Sequence, residues 1–339
     1  MGTAQGQHFL LSKEARSLSI MKVAQFTDDE AYDRFQMIRW SETGGEPVCT
    51  HCGCQASYKH KARRIFTCQA CGKQFSVTSK TIFASHKLPI KTYLVAIALY
   101  VNGAKGYSAL QMSRDLDCQY KTAFVLCHKI REAIGRDAAD REATGVVEVD
   151  GAYFGGHVKP TNYVENRRDR RLAKNQNGKR RVVVVMRERN GRTLPFVVKR
   201  ENEAVPVIER RVRLDSTLHA DEALGWDPLH VLFDIKRINH QEAYSHEGAC
   251  TNQAESFFSR IRRAEIGQHH HIAGPYLDEY AKEMAWREDT RRLSNGEQFL
   301  LAAYAALTSV SSDNWQRYWQ RRFKPKATLN QQPEPSAMG

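Results

Sequence analysis

The sequence predicts an α/β protein: a mixed sheet flanked by helices, preceded by a small metal-binding ribbon and a helical region. Three observations lead there. Two cysteine pairs at C-x2-C spacing stand near the N-terminus, β-branched runs broken by turn residues follow from Val146, and an amphipathic helical pattern carrying Glu255 closes the series. The bulk numbers allow such a fold, since 339 residues with 41% apolar content bury a real core, and the length corresponds to about two or three domains. A formal net charge of +13 favours a polyanionic partner, either nucleic acid or an acidic membrane face. No run approaches the roughly 18 apolar residues of a membrane span, and no signal-peptide pattern opens the chain, so a cytoplasmic protein is expected.

Residues 1–25 lack periodicity and read as a flexible leader. The stretch 26–45 then reads as a helix, with Thr27 and Glu30 as a capping box and Ala31, Phe35, Ile38 and Trp40 as its apolar stripe. In the ribbon, 46–78, Cys49 and Cys52 are followed after fifteen residues by Cys68 and Cys71. Each pair offers two thiolates, and four sulfurs suit one tetrahedral zinc ion; a redox pair or plain buried cysteines is the alternative. The basic Lys59, Arg63 and Arg64 on the intervening loop are candidate phosphate contacts, or a solvated basic loop.

The segment 86–138 opens with a dense apolar helix closed by Asn102 and Gly103, and continues as helix, turn, helix. Ser108 and Gln111 form a capping box, and Phe124, Leu126, Cys127, Ile130 and Ile134 line the second helix. A DNA-reading helix-turn-helix would bring Tyr120, Lys121, Lys129 and Arg131 to DNA; a helical hairpin without DNA contact fits the same pattern.

The region 144–293 carries the sheet. In VVEVDGAYF, alternation sends Val147 and Val149 to one face and Glu148 and Asp150 to the other, with Asp150 at the strand's end. From Arg181 a second strand, an Asn-Gly turn and a third strand complete an antiparallel meander. A helix over EAVPVIERRV and a fourth strand ending on Asp221 follow. The helix TNQAESFFSRIRRAEIG then turns Phe257, Phe258 and Ile261 inward and sets Asn252, Ser259 and Arg262 on the face of Glu255. Three strands, a helix, a strand and an acidic helix is the order of an RNase H-like fold.

On these residues, with RW…CTHCG…CQACGKQFS and KGYSALQMSRDL…KTAF, the chain resembles the zinc-ribbon group of bacterial insertion-sequence transposases, related to the IS-one type elements, from about Phe26 to about Arg292. The resemblance implies an RNase H-like DDE domain with Asp150, Asp221 and Glu255 as catalytic carboxylates and Asn252 beside the last. His240 matches the family's Asn-His pair as a supporting residue, or is a loop histidine. Members usually have His where this chain has Cys250, and an acidic residue where it has Gly151. Phosphodiester displacement is served by two divalent ions about 4 Å apart, and hard Mg2+ or Mn2+ ions prefer carboxylate oxygens. In this reading Asp150 bridges both ions, Asp221 binds one and Glu255 the other. Arg262 would hold a DNA phosphate, with Arg263 beside it. The partners implied are terminal inverted repeats and target DNA, with a homodimer or higher oligomer for synapsis. A hydrolytic nuclease that cuts without joining, and a DNA-binding regulator with an inactive core, are the alternatives.

The basic insertion 157–181, with Arg167, Arg168, Arg170, Arg171, Lys179, Arg180 and Arg181, reads as a phosphate-binding arm or a solvated loop. His269 to His271 read as a surface turn near DNA rather than a second metal site. A basic helical segment is expected over 294–322 and a disordered tail over 323–339.

Overall fold

A computed structural model describes residues 9–60, 63–136, 141–155, 163–167, 175, 178–238, 250–310, 314–316 and 318. Helices α1 (Ile20–Ala24) and α2 (Asp28–Arg39) lead into the ribbon. The capping box at Thr27 forms in full: Glu30 N–H donates to Thr27 Oγ1, and Thr27 N–H donates to the Glu30 carboxylate at 2.7 Å. Residues 9–25 are not a loose leader. Asn295 accepts the Leu18 N–H at 2.8 Å and returns a bond to the Leu18 carbonyl at 3.0 Å, tying this segment to the far end of the chain.

The ribbon is a three-stranded antiparallel sheet of β1 (Ser57–His60), β2 (Ile65–Cys68) and β3 (Gln74–Ser76). Its apolar side is aromatic, with Trp40 edge-on to Phe66 and Phe75 at 5.6 and 6.2 Å. Helices α3 (Ile90–Asn102), α4 (Ala109–Asp115) and α5 (Tyr120–Gly135) follow. They share one core with α2, the ribbon and α9 (Asn295–Thr308). Burying Leu94, Ile97, Met112 and Ile130 completely contributes about 1.5–3 kcal/mol each.

The second sheet has strand order β6-β5-β4-β7-β8. The meander expected from the sequence is present: β4 (Val146–Phe154) pairs antiparallel with β5 (Arg181–Glu188), which pairs antiparallel with β6 (Thr193–Val198). Helix α6 (Val205–Arg211) crosses over to β7 (Thr217–Asp221), parallel to β4, and β8 (Asp234–Ile238) adds in parallel outside it. Strand β8 was not apparent in the sequence; its DIKRI alternates in exposure, but the half-buried position between Ile235 and Ile238 is filled by a charged residue, Arg237, and only Ile238 is buried. Strand β4 runs four residues past Asp150, so this aspartate sits inside a central strand and not at its end. The strand continues because Gly151 pairs with Val184 and the next three residues keep the register with β5.

The two faces of this sheet are covered separately. Val147, Val149, Val182, Val184 and Met186 pack under α6 and the 3-10 segment Leu224–Val231. Ala152, Phe154, Val183 and Val185 pack under α7 (Asn252–Ala264) and α8 (Leu277–Asp289). A mixed five-stranded sheet with this order and helices on both faces is an RNase H-like fold.

A buried ion network joins the two cores. Arg131 on α5 donates to Glu283 on α8 at 2.6 Å, and Arg287 donates to the other oxygen of Glu283 at 2.9 Å. Arg287 also reaches the Tyr100 carbonyl at 2.8 Å. Burial raises the proton affinity of Glu283, but Arg131 and Arg287 overcome it and hold the carboxyl well below its usual range. Arg131 is thus not a DNA-facing cation: only 1% of its side chain is exposed, because desolvating this pair requires both partners to stay together. Lys129 is also turned inward, donating to the Ile82 carbonyl at 2.8 Å. Of the four residues assigned to a reading helix, Tyr120 and Lys121 at the start of α5 remain exposed.

Candidate active site and metal centre

The ribbon brings Cys49, Cys52, Cys68 and Cys71 together with all four sulfurs within 4.8 Å of one another. Cys49 Sγ lies 3.7 Å from Cys71 Sγ, and Cys52 Sγ lies 3.5 Å from Cys68 Sγ. A zinc ion with Zn–S bonds of about 2.3 Å sets a tetrahedral S–S edge of roughly 3.8 Å, so the four side chains fit one ion. The loop geometry favours the thiolate at two of the four: the His51 N–H points at Cys49 Sγ at 3.4 Å, and backbone N–H groups of Cys71 and Ala70 draw the Cys68 thiol down to about 6, whereas sharing with the Cys68 and Cys71 sulfurs pushes the Cys52 thiol up. These four complete the set, and all eight cysteines are free of disulfides.

The second cluster is built on the sheet. Parallel pairing of β4 with β7 aligns Glu148 with His219 and Val149 with Ala220, so one further step sets Asp150 beside Asp221. By alternation Asp150 shares the side of β4 that carries Ala152 and Phe154, the face covered by α7. Helix α7 forms there because Ala254, Phe257, Phe258, Ile261 and Ala264 repeat at helical spacing and bury against it. This packing leaves Glu255 half-buried.

The electrostatics record the convergence. Burial pushes the Asp150 carboxyl up to about 7, and the negative charges of Asp221, Glu255 and Glu201 act in the same direction. The Gly151 N–H, donating to Asp150 Oδ1 at 2.7 Å, only partly offsets them. Asp221 is oriented through one oxygen, Oδ1, which accepts from Trp226 Nε1–H at 2.8 Å and from the Ala223 N–H at 3.2 Å. Half-buried carboxylates brought to one side of a sheet are a donor set suited to a hard divalent cation. They are spread more widely than the sulfurs: among the described residues, only the cysteines gather within 4.8 Å.

Two carboxylates near this cluster were missed from the sequence. Glu201, in the 3-10 turn after β6, packs over Gly151, its Cγ and Oε1 each 3.4 Å from where a Cβ would stand. Burial and the charge of Asp221 raise its proton affinity. Glu148 is completely buried and bonds to the first turn of α7. Its signal was present, since a glutamate between two valines in a central strand needs a buried partner.

The other residues singled out in the sequence disperse. Asn252, Arg262 and Arg263 are exposed on α7, with Arg263 donating to Ser259. His240, Arg168, Arg170 and Arg171, along with Lys61, lie outside the described residues, as does the segment 323–339. Arg167 and Lys179 are exposed, Arg180 stacks over Tyr153 at 3.8 Å, and Arg181 donates to the carbonyls of Gly178 and Arg180. On the ribbon Lys59 and Arg63 are exposed, while Arg64 pairs with Asp29 at 2.6 Å and covers Tyr32. The histidine triplet splits: His270 and His271 are exposed, whereas His269 turns inward against Tyr280.

An RNase H-like sheet carrying carboxylates on the face covered by a helix, with a four-cysteine ribbon ahead of it, is an architecture suited to metal-dependent chemistry on nucleic acid. Comparison with protein families agrees: residues 142–289 match the ISXO2-like transposase domain, and residues 26–74 match the transposase zinc-ribbon domain. The chain belongs to the zinc-ribbon insertion-sequence transposases. Its ribbon is a structural zinc site, and the family is one of DNA-binding nuclease and transferase enzymes. No curated protein matches the chain.

Proposed function

We propose that this transposase binds the terminal inverted repeats of its element and catalyses metal-dependent strand cleavage and strand transfer, with Asp150, Asp221 and Glu255 as the catalytic carboxylates. The observation that carries the reading is the β4–β7 register, which sets Asp150 beside Asp221 on the face covered by α7, where burial and then the charges of Asp221 and Glu255 push the Asp150 carboxyl up to about 7. Two Mg2+ or Mn2+ ions held there would activate the attacking oxygen and stabilise the leaving one.

The chain's own residues divide the remaining work. Asp150, on the central strand beside Asp221, would ligate both ions; Trp226 and the Ala223 N–H orient the Asp221 carboxylate, which would hold one of them. The packed apolar face of α7 presents Glu255 to the other. Arg262 and Arg263 on the same helix, with Lys179 and Arg180 beyond β4, supply phosphate contacts near the carboxylates. Lys59 and Arg63 on the ribbon and Lys121 on α5 supply contacts farther along the DNA. The net charge of +13 supports this polyanion-binding role. Synapsis of two element ends calls for a homodimer or higher oligomer, working in the cytoplasm on nucleoid DNA.

The test is Mg2+- or Mn2+-dependent cutting of DNA that carries the gene's flanking inverted repeat, with Asp150→Asn as control. Cutting at the repeat end by the native protein alone, leaving a 3'-hydroxyl, supports the reading. A strand-transfer assay with a pre-cut end separates a transposase from a nuclease that only hydrolyses. Specific binding with no metal-dependent cutting by either protein would instead indicate a DNA-binding regulator.

A further inference from the structure

Helix α7 lacks a cap of its own. Thr251, at the N-cap, makes no side-chain bond to the first turn, although the leading N–H groups of a helix need acceptors. Those acceptors come from another element. Glu148 Oε2, on β4, accepts the N–H of Gln253 at 2.8 Å and of Ala254 at 3.0 Å.

The rest of the carboxylate is also engaged. Glu148 Oε1 lies 3.4 Å from Arg189 Nε and 3.7 Å from Cys250 Sγ. Arg189, just after β5, also reaches His219 Nδ1 at 3.1 Å, and that nitrogen accepts the Cys250 N–H at 3.1 Å. His219 stands opposite Glu148 in the β4–β7 register. One buried side chain therefore connects β4, the end of β5, β7 and the start of α7.

We propose that Glu148 is a positioning residue of the active site, setting the separation between Asp150, two residues along β4, and Glu255, the next residue after Ala254. The proposal rests on the reading of Asp150, Asp221 and Glu255 as metal ligands. Glu148, completely buried and engaged by these bonds, would act through those ligands rather than on the ion or the DNA. A serine or aspartate at the N-cap would satisfy the same N–H groups, but only within the helix. A cap supplied from β4 also fixes where the helix starts relative to the strand carrying Asp150. Ligand positions at a metal tolerate only a few tenths of an ångström, while α7 slipping by one residue moves Glu255 by about 1.5 Å along the axis and about 100° around it. Arg189 and the positive end of the helix compensate the charge of Glu148, which keeps it from drawing the cation away from Asp150.

The test measures Mn2+ binding to the full-length, zinc-loaded protein by electron paramagnetic resonance, together with amide exchange in the first turn of α7. Asp150→Asn identifies which bound Mn2+ belongs to the site. Glu148→Gln keeps the shape and removes the charge; Glu148→Asp keeps the charge and shortens the reach. Both are expected to lose Mn2+ affinity about 10- to 100-fold, the usual effect of removing a group that orients metal ligands, and to exchange faster at Gln253 and Ala254. If Glu148→Gln does not fold, Glu148→Asp carries the test. A folded variant of either kind with affinity within twofold of native overturns the proposal. If native protein holds no Mn2+ that depends on Asp150, the active-site reading fails first and this inference falls with it.

Discussion

Asp150 is half-buried beside carboxylates whose negative charges oppose its ionisation. Its proton affinity is raised first by burial, then by Asp221, Glu255 and Glu201, to a pKa of about 7 against an ordinary 3.8. A carboxyl raised in the fold contributes stability that is fully present below its unfolded value, near 4, and lost as pH rises through about 7. At about 1.4 kcal/mol for each tenfold change in proton affinity, the ionised group costs the metal-free fold up to about 4 kcal/mol; partial exposure reduces this to about 1–3 kcal/mol. Asparagine keeps the shape and removes the charge. Asp150→Asn should therefore raise the Tm of the metal-free protein at pH 8 by several degrees, with little change at pH 4.5. Added Mg2+ or Mn2+ should raise the Tm of the native protein and leave the variant nearly unmoved. Differential scanning calorimetry at the two pH values, with and without the ion, reads all four cases. An equal or lower Tm for the variant at pH 8 would refute the argument that Asp150 lies in a mutually repelling cluster.

Three further outcomes follow from the geometry. Cys68→Ser should abolish binding of one zinc equivalent, measured by elemental analysis, and shift Trp40 fluorescence to the red, because the ion supplies on the order of 10 kcal/mol to fold the ribbon that packs on Trp40. Arg131→Met should lower stability by about 3–5 kcal/mol in denaturant titration by leaving Glu283 short of one partner; the salt slope of DNA binding should stay unchanged, whereas Lys121→Ala should reduce it by about one. Trp226→Phe removes the Nε1–H donor to Asp221 while keeping an aromatic ring in place. Mn2+ affinity should fall about three- to tenfold by paramagnetic resonance, and an unchanged value would show that the Ala223 N–H orients Asp221 without help.

Features governed by residues close in sequence could be read directly. The C-x2-C pairs announced a four-sulfur site because each knuckle is a local turn. The capping box at Thr27 and the buried stripe Phe257, Phe258 and Ile261 follow from spacings within one helix. Alternation likewise assigned Glu148 and Asp150 to one face of β4. The sequence by itself therefore determined the ribbon, the meander and the polar face of α7, all products of backbone periodicity and short-range bonds. Tertiary structure alone decided what depends on partners distant in the chain. It buried Arg131 on Glu283, 152 residues away, and turned Lys129 to the Ile82 carbonyl. It continued β4 past Asp150 by pairing Gly151 with Val184, and added β8, whose inward positions include the charged Arg237 and so hide its alternation. It also gave Glu148 to the uncapped end of α7, about a hundred residues on. A buried charge must find a partner somewhere in the fold; the sequence shows the need, and only the packing of strand against helix shows which group meets it.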